Sequence, residues 1–197
     1  EIMHSYRRHA EDSPYGLVQI MYGDWCDPID MFGTSKIGDD TTRGMGRGVQ
    51  VRLSAHVFCS LVELLDLFEA PTVAETLPAS VADSIPLLRK TANAIRKNAL
   101  RFAWEDGANA GFITAIHELR KDGSRPNYRK GEIGYTLGSM KGHEYDGAKR
   151  RDITAQSYGL HMLRTERDWL SSVAGRDDKV TAILKTCDGA MFDPKLG

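Results

Sequence analysis

The sequence contains few cysteines, and it lacks any long apolar stretch. Its three cysteines, Cys26, Cys59 and Cys187, are widely spaced and include no Cys-x-x-Cys pair, which argues against a zinc ribbon or a redox motif. Reduced thiols are typical of the cytosol, so we expect a cytoplasmic protein. No apolar run reaches the ~18 residues that a membrane helix needs, and no signal peptide is visible. We therefore expect no membrane association.

An excess of either charge is also absent. Lys and Arg total 26 and Asp and Glu total 27 among the 197 residues, which leaves a formal net charge of -1. Without a basic excess there is no electrostatic reason to expect nucleic acid or an anionic membrane as a partner. The charge balance suits a neutral substrate, and the length suits one domain with a core or part of a larger one.

Apolar spacing predicts two long helices in the middle of the chain. From Val49 to Phe68, apolar residues recur at intervals of three and four over a broad face, so this helix should be well buried, with Cys59 in the core. A second helix is predicted from Ser84 to Trp104, with Ser84 as its N-cap and Pro86 in its first turn. We expect its basic residues to form a solvated face. These residues are Arg89, Lys90, Arg96 and Lys97.

The rest of the sequence predicts two more helices, little strand and long polar loops. Helices are expected from Asp152 to Arg164 and from Asp178 to Met191. Gly111 to Leu119 is predicted to be extended and is followed by the turn signal Lys121-Asp122-Gly123. The glycine-bearing stretch from Gly33 to Gly48 is predicted to be a long loop. The expected fold class is therefore mainly α, with loops that carry the functional site.

One short segment, Asp24-Trp25-Cys26-Asp27, combines two carboxylates with an aromatic side chain. An aromatic face can stack on the apolar face of a pyranose, and a carboxyl group beside it can be kept protonated by burial. A general acid needs such a raised pKa to hold its proton near neutral pH. The alternative is a turn in which Asp24 caps a backbone N–H and Trp25 fills the core.

A second cluster holds His143, Glu144, Asp146 and Asp152. Histidine and carboxylates can bind a metal, but this spacing matches no ligand pattern such as His-Glu-x-x-His, so surface ion pairs are the expectation and no metal is predicted. His56 and His161 lie in apolar helical stretches and are expected in the core or behind a site rather than as ligands. The glycines from Gly44 to Gly48 lack the strand and the Lys of a phosphate-binding loop.

Taken in order, the segments resemble glycoside hydrolase family 94, which holds cellobiose and chitobiose phosphorylases and the C-terminal part of cyclic β-1,2-glucan synthases. Tyr15-Gly16-Leu17 followed by Gly23-Asp24-Trp25-Cys26-Asp27 is similar to the family's Gly-Asp-Trp-Asn-Asp signature. Later counterparts follow in the same order and at similar spacing. They are Asp122-Gly123, Gly138-Ser139, Glu144, the stretch Asp152 to Tyr158, and Phe192 to Gly197. The resemblance covers nearly the whole chain.

Four departures from the family pattern leave the substrate open. Cys26 stands where the family has Asn, and Pro28 stands where it has Gly. Tyr158 replaces a Trp, and Val49-Gln50 replaces a Glu-Ser pair. These changes are compatible with a sister family that acts on other β-glucans.

The resemblance implies that residues 1–197 are part of an (α/α)6 catalytic barrel, cut from a longer chain. Such a piece exposes apolar helix faces, so we expect it to need the remainder of its own polypeptide or a complementary chain. A homodimer is also compatible with it. No nucleic-acid or membrane partner is implied.

The resemblance also implies a mechanism and a set of site residues. Asp27 would be the general acid that protonates the glycosidic oxygen of an oligosaccharide, while inorganic phosphate attacks the anomeric carbon with inversion. Phosphate is then a co-substrate, and no other cofactor is expected. Asp24 and Trp25 would line the donor-sugar site, and Gln156 and Glu144 would lie near the sugar and phosphate.

Two alternatives stay open. An inverting hydrolase on the same barrel would keep Asp27 as acid and would use Glu144 or Asp152 to activate water, because water needs a base and phosphate does not. A non-catalytic sugar-binding module would retain Trp25 and lose turnover, and the changes at Cys26 and Pro28 favour it.

Overall fold

The computed structural model describes residues 15–18, 49–113, 115–116 and 153–189, and helices make up 66% of them. The prediction of a mainly α fold is confirmed. The helices are α1 (Val51–Glu69), α2 (Pro71–Ala74), α3 (Ala79–Ala82), α4 (Ile85–Phe102), α5 (Ile153–Arg164) and α6 (Arg176–Gly189).

Short antiparallel strand pairs flank the long helices. β1 (Val49–Gln50) pairs with β4 (Ala115–Ile116), and β2 (Trp104–Glu105) pairs with β3 (Gly111–Phe112). The predicted extended segment is thus confirmed in the part that the structure describes. The first predicted helix begins two residues too early, because Val49 and Gln50 pair with β4 before the chain turns into α1.

Ser84 precedes α4 as predicted, but it does not cap the helix through its side chain. Its hydroxyl donates to the carbonyl oxygen of Val81 at 2.6 Å, so it closes the turn after α3 instead. Pro86 lies in the first turn of α4, where its missing N–H leaves no helical hydrogen bond unmade.

Helices α1 and α4 form an antiparallel pair. At one end, the Arg89 guanidinium of α4 donates to Glu69 Oε1 of α1 at 2.8 Å. Farther along, Arg96 of α4 lies over the Phe58 ring of α1, with its Cζ 5.8 Å from the ring centroid. Residue numbers therefore rise along α4 as they fall along α1.

Helix α5 also packs against α1, and it runs parallel to it. Tyr158 of α5 stacks on His56 of α1 with ring centroids 4.6 Å apart. Just beyond α5, Arg167 Nε donates to Asp66 Oδ1 of α1 at 2.8 Å. Helix α6 packs on α5, and both contact β3. The described helices thus form two neighbouring pairs, α1 with α4 and α5 with α6.

The core lies where these helices meet the strands. Its largest fully buried side chains are apolar and come mainly from α1, α4, α5, β3 and β4, and α6 adds the fully buried Ile183. They include Phe58, Leu65, Leu88, Ile95, Phe112, Ile116, Met162 and Leu163. Cys59 is buried as predicted. Each aliphatic or aromatic side chain of this size contributes about 1.5–3 kcal/mol when buried, so the α1–α4–α5 contact stabilises the described fold.

Two predictions about polar side chains are wrong. Arg96 was expected on a solvated face, but only 4% of its surface is exposed. His56 and His161 were expected in or near the core, and both are exposed. Each histidine lies on a different face of its helix from the buried apolar residues near it in sequence. A largely apolar stretch therefore does not imply that each of its residues is buried.

Replacing Gly159 with Ala is expected to destabilise the fold by about 1–3 kcal/mol, although Gly→Ala usually stabilises a helix. A Cβ atom at Gly159 would lie 2.4 Å from Cδ2 of the buried Phe112 ring, so α5 and β3 would have to separate. Chemical denaturation would measure the loss. Gly189→Ala is the matched control, because its Cβ meets no heavy atom within 4 Å among the described residues. An unchanged Gly159→Ala variant would contradict this packing.

Candidate functional site

Three chain segments meet beside the start of α1. The backbone N–H of Gln50 donates to the carbonyl oxygen of Val18 at 3.0 Å. Val49 pairs with Ile116 across the β1–β4 ladder. Val18, Val49 and Ile116, which border the stretches outside the described residues, therefore lie together at one end of the helices. We call this the loop end.

The first turns of α5 and the last turn of α6 also lie at the loop end. Gln156, in the first turns of α5, pairs with Phe112 of β3. Thr186, near the finish of α6, donates to the carbonyl oxygen of Ala110 at 2.7 Å. The segment from residue 117 to residue 152 thus begins and ends at the loop end.

Most of the predicted site residues lie outside the described residues. Asp24, Trp25 and Asp27 fall between Val18 and Val49, and Glu144 falls between Ile116 and Ile153. The metal-like cluster from His143 to Asp152 also falls there. Both stretches are attached at the loop end, so the scaffold brings their points of attachment together.

Gln156 is the one predicted site residue that the structure describes. It is fully buried, and its Oε1 accepts from the Phe112 N–H at 2.9 Å. Its Nε2 donates to the Phe112 carbonyl oxygen at 2.6 Å. The amide therefore takes the place of a neighbouring strand and holds β3 to α5. Its contact with sugar or phosphate stays a prediction.

A short anchor, residues 15–18, precedes the Asp24–Asp27 segment; Tyr15-Gly16-Leu17 is part of the motif found in the sequence, but its packing on the helices is not predicted by that motif. Tyr15 is buried and meets Phe102 of α4 edge-on, with centroids 5.5 Å apart. Asn98 Nδ2 donates to the carbonyl oxygen of Gly16 at 3.3 Å. Gly16 has a φ of 59°, a left-handed conformation that glycine adopts readily.

Ser54 completes the attachment of this anchor to α1. Its Oγ accepts from the Val18 N–H at 3.0 Å and donates to the Gln50 carbonyl oxygen at 2.8 Å. Together with the bond from Gln50 N–H, both backbone groups of Val18 are engaged. A serine within an apolar helix was the available signal, because a buried hydroxyl requires a partner.

A polar groove of about 810 Å³ lies at the opposite end of the helices, along the connection between α5 and α6. Its wall includes Arg96, whose Nη1 donates to the Thr165 carbonyl oxygen at 2.9 Å, with Nη2 bonded to the Ser171 carbonyl oxygen. Burial lowers the pKa of Arg96. Asn93 adds a bond to the Trp169 carbonyl oxygen at 2.8 Å. Arg96 and Asn93 thus hold the α5–α6 connection at the end of the helices opposite the loop end.

The thiol of Cys59 is unsuited to nucleophilic chemistry. Burial, with a smaller contribution from the Glu63 carboxylate, raises the pKa of Cys59 to about 11. A thiol with such a pKa holds its proton at neutral pH, and only the thiolate attacks. Cys59 is therefore a core residue, as its apolar surroundings predicted.

Within the described ranges, no group of three His, Cys, Asp or Glu side chains could hold a metal ion. Of the helices in those ranges, none combines the length and apolar character needed to cross a lipid bilayer. Comparison with known proteins found no matching family model, no matching curated protein and no matching solved structure.

Proposed function

We propose that this chain carries the acid-bearing part of an inverting glycoside phosphorylase similar to glycoside hydrolase family 94. The observation that carries the proposal is the ordered set of motifs, with Gly23-Asp24-Trp25-Cys26-Asp27 ahead of Asp152 to Tyr158. The convergence of Val18, Val49 and Ile116 supports it, because both motif-bearing segments attach to one end of the scaffold. Loops grouped at one end of a rigid helical frame are a common way to build a site.

The arrangement of the helices supports the barrel part of the proposal. An (α/α)6 barrel consists of six antiparallel helix pairs whose inner helices run parallel to one another. Here α1 and α5 are parallel neighbours, and α1 has α4 as its antiparallel partner. Helix α6 is antiparallel to α5, because the start of α5 and the finish of α6 both bond to the β3 region, at Phe112 and Ala110. The described helices would supply two of the six pairs, so others must complete the barrel. Leu67, Ile153 and Leu184 are each more than half exposed and are available for such packing.

In the proposed reaction, Asp27 donates its proton to the glycosidic oxygen as the bond from that oxygen to the anomeric carbon breaks. A phosphate oxygen forms a new bond to the anomeric carbon from the opposite face. The products are a sugar 1-phosphate and a sugar with a free hydroxyl, and Asp27 is left as a carboxylate. Trp25 and Asp24 line the donor-sugar site, and Gln156 and Glu144 lie at or near the sugar and phosphate.

The proposed substrate is a β-linked gluco-oligosaccharide in the cytoplasm. A neutral oligosaccharide suits a chain whose formal net charge is -1. The described cysteines, Cys59 and Cys187, are free thiols, and reduced thiols are typical of cytoplasmic proteins. Inorganic phosphate is the co-substrate, and the chemistry requires no further cofactor.

The decisive test is product formation by the intact protein from a panel of β-linked gluco-oligosaccharides, with and without phosphate. Sugar 1-phosphate that appears only when phosphate is present would establish a phosphorylase. Free sugar without phosphate would overturn the proposal in favour of a hydrolase that uses Glu144 or Asp152 as base. Sugar binding without product under either condition would favour the non-catalytic module.

A further inference from the structure

Helix α1 carries apolar side chains all round, including one side that stays exposed. Phe58 and Leu65 are buried in the core. Leu53, Leu64 and Leu67 are 36%, 36% and 54% exposed, and they are three of the five large apolar side chains that are exposed among the described residues. A helix that is apolar on every side is normally buried on every side, so we expect a further partner for this side of α1.

The exposed leucines form a stripe with Ser60 near its centre. Leu53 lies seven residues before Ser60, Leu64 lies four after it and Leu67 seven after it. Steps of three, four and seven residues keep side chains on one face of a helix. Helices α4 and α5 contact other sides of α1. We call Leu53, Ser60, Leu64 and Leu67 the α1 stripe.

The order of residues along the α1 stripe fits an antiparallel second copy of α1. If two copies cross at Ser60, Leu53 of each copy lies opposite Leu67 of the other, because both are seven residues from the crossing point. The side chain of Ser60 is small, which allows the two helices to approach closely there. A two-fold axis relates the copies, so every contact occurs twice.

Charges along one edge of the α1 stripe favour the same arrangement. His56 and Glu63 are both exposed, and they lie seven residues, about two helical turns, apart on one side of α1. His56 precedes Ser60 by four residues and Glu63 follows it by three. Antiparallel pairing therefore brings the imidazole of each copy beside the carboxylate of the other, a donor beside an acceptor. Parallel pairing would place Glu63 beside Glu63, where like charges repel.

We propose that the α1 stripe is the contact surface for a second copy of this chain, which docks its own α1 antiparallel across a two-fold axis at Ser60. The surface consists of residues that the structure describes, and it does not depend on the proposed reaction. Helix α1 has 19 residues and is therefore ~28 Å long. Two such helices alone bury about 1,200 Å² or less, the lower end for a specific interface. The dimer should therefore be reversible, with a dissociation constant on the order of micromolar.

Analytical ultracentrifugation of the intact protein over a range of concentrations tests the dimer. Leu64→Asp places an unpaired charge in the contact and should weaken self-association about 100-fold or more. Leu184→Asp introduces the same charge on α6, where the leucine is 55% exposed, and should leave self-association unchanged. Circular dichroism should show the same helix content in both variants. A wild type that stayed monomeric throughout the range would overturn the proposal, and so would a Leu64→Asp variant that dimerised like wild type.

A charge swap tests the orientation of the two helices. His56→Glu sets a carboxylate beside Glu63 of the second copy and should weaken association about tenfold or more. Adding Glu63→His restores the opposite pair in reversed order and should recover the affinity to within a few-fold. His56→Glu also removes the stacking on Tyr158, which the double variant does not regain. Recovery therefore reports the charges rather than the stacking. A double variant as weak as His56→Glu alone would contradict the antiparallel arrangement.

Ser60→Cys tests the crossing point. Two cysteines at this position should form a disulfide between copies under mild oxidation, which requires their Cα atoms to lie within ~7 Å of each other. Ser172→Cys, which is exposed on the α5–α6 connection, should form none. Oxidised wild type gives the background from the three native cysteines. If Ser60→Cys gave no covalent dimer above that background, the two copies would not cross at Ser60 and the proposed surface would be wrong.

Discussion

Replacing Asp27 with Asn is expected to lower kcat for phosphorolysis by about 10²–10⁴-fold, the usual contribution of a general acid. The side chains are nearly equal in size, and the amide can still form hydrogen bonds to a sugar hydroxyl. It cannot transfer a proton to the glycosidic oxygen. Oligosaccharide affinity should therefore change little, and isothermal titration calorimetry of the variant would measure it beside the steady-state rate.

Asp30→Asn is the matched control for Asp27→Asn, because it removes a carboxylate from the same segment outside the Gly-Asp-Trp motif. It should retain activity to within a few-fold. An aryl glycoside should recover much of the rate in Asp27→Asn, since its leaving group departs without a proton. If Asp27→Asn retained full activity on the oligosaccharide, another residue would have to be the acid. If it lost binding as well as turnover, Asp27 would act in binding.

The helices were predictable because their core faces repeat locally. The apolar positions of α1 recur every three or four residues, and burial of Phe58 and Leu65 follows from that repeat. The bounds of α5 agree with prediction to within one residue for the same reason. The short strands were harder to predict from the sequence. Val49 pairs with Ile116, and the periodicity of a sequence does not indicate such a distant partner.

Local sequence patterns could not predict the burial and the hydrogen-bond partners of individual polar side chains. Arg96 looked like its solvated neighbours Lys90 and Lys97, yet its guanidinium reaches carbonyl oxygens of the α5–α6 connection. Ser54 looked like a tolerated polar residue in a helix, and its partner at Val18 lies in a separate segment. Both environments are set by tertiary contacts. The motif order, in contrast, is a property of the sequence, and the common site that it implies for Asp27 and Glu144 stays a prediction.

Gln156→Leu is expected to destabilise the fold by about 2–6 kcal/mol, because two buried backbone groups of Phe112 would lose their partner and each such group costs about 1–3 kcal/mol. That loss is a large share of the ~5–15 kcal/mol that stabilises a typical domain. Ser157→Ala, on the exposed side of the same turn of α5, should be neutral. Denaturant titrations of both variants would measure the difference in the free energy of unfolding.

Gln156→Glu tests the hydrogen bonds between the Gln156 amide and Phe112, because the stability of this variant should depend on pH. A protonated carboxyl can accept the Phe112 N–H and donate to its carbonyl oxygen, as the amide does, whereas a carboxylate cannot donate and would be buried as a charge. Burial would raise the pKa of this carboxyl in the folded state above the ~4.3 of an unfolded glutamate. The folded state then binds the proton more tightly. Stability relative to wild type should be highest below about pH 4 and should fall as the pH rises from there through the folded pKa.

Gln156→Leu should show no such pH dependence, because it can make neither bond at any pH. Parallel pH profiles for the Glu and Leu variants would contradict the pairing with Phe112. A glutamine that served substrate alone would leave the free energy of unfolding unchanged in both variants and would lower only the affinity for sugar or phosphate. Stability and affinity measured on the same variants therefore separate the two roles. A loss in both would mean that Gln156 holds β3 to α5 and also contributes to binding sugar or phosphate.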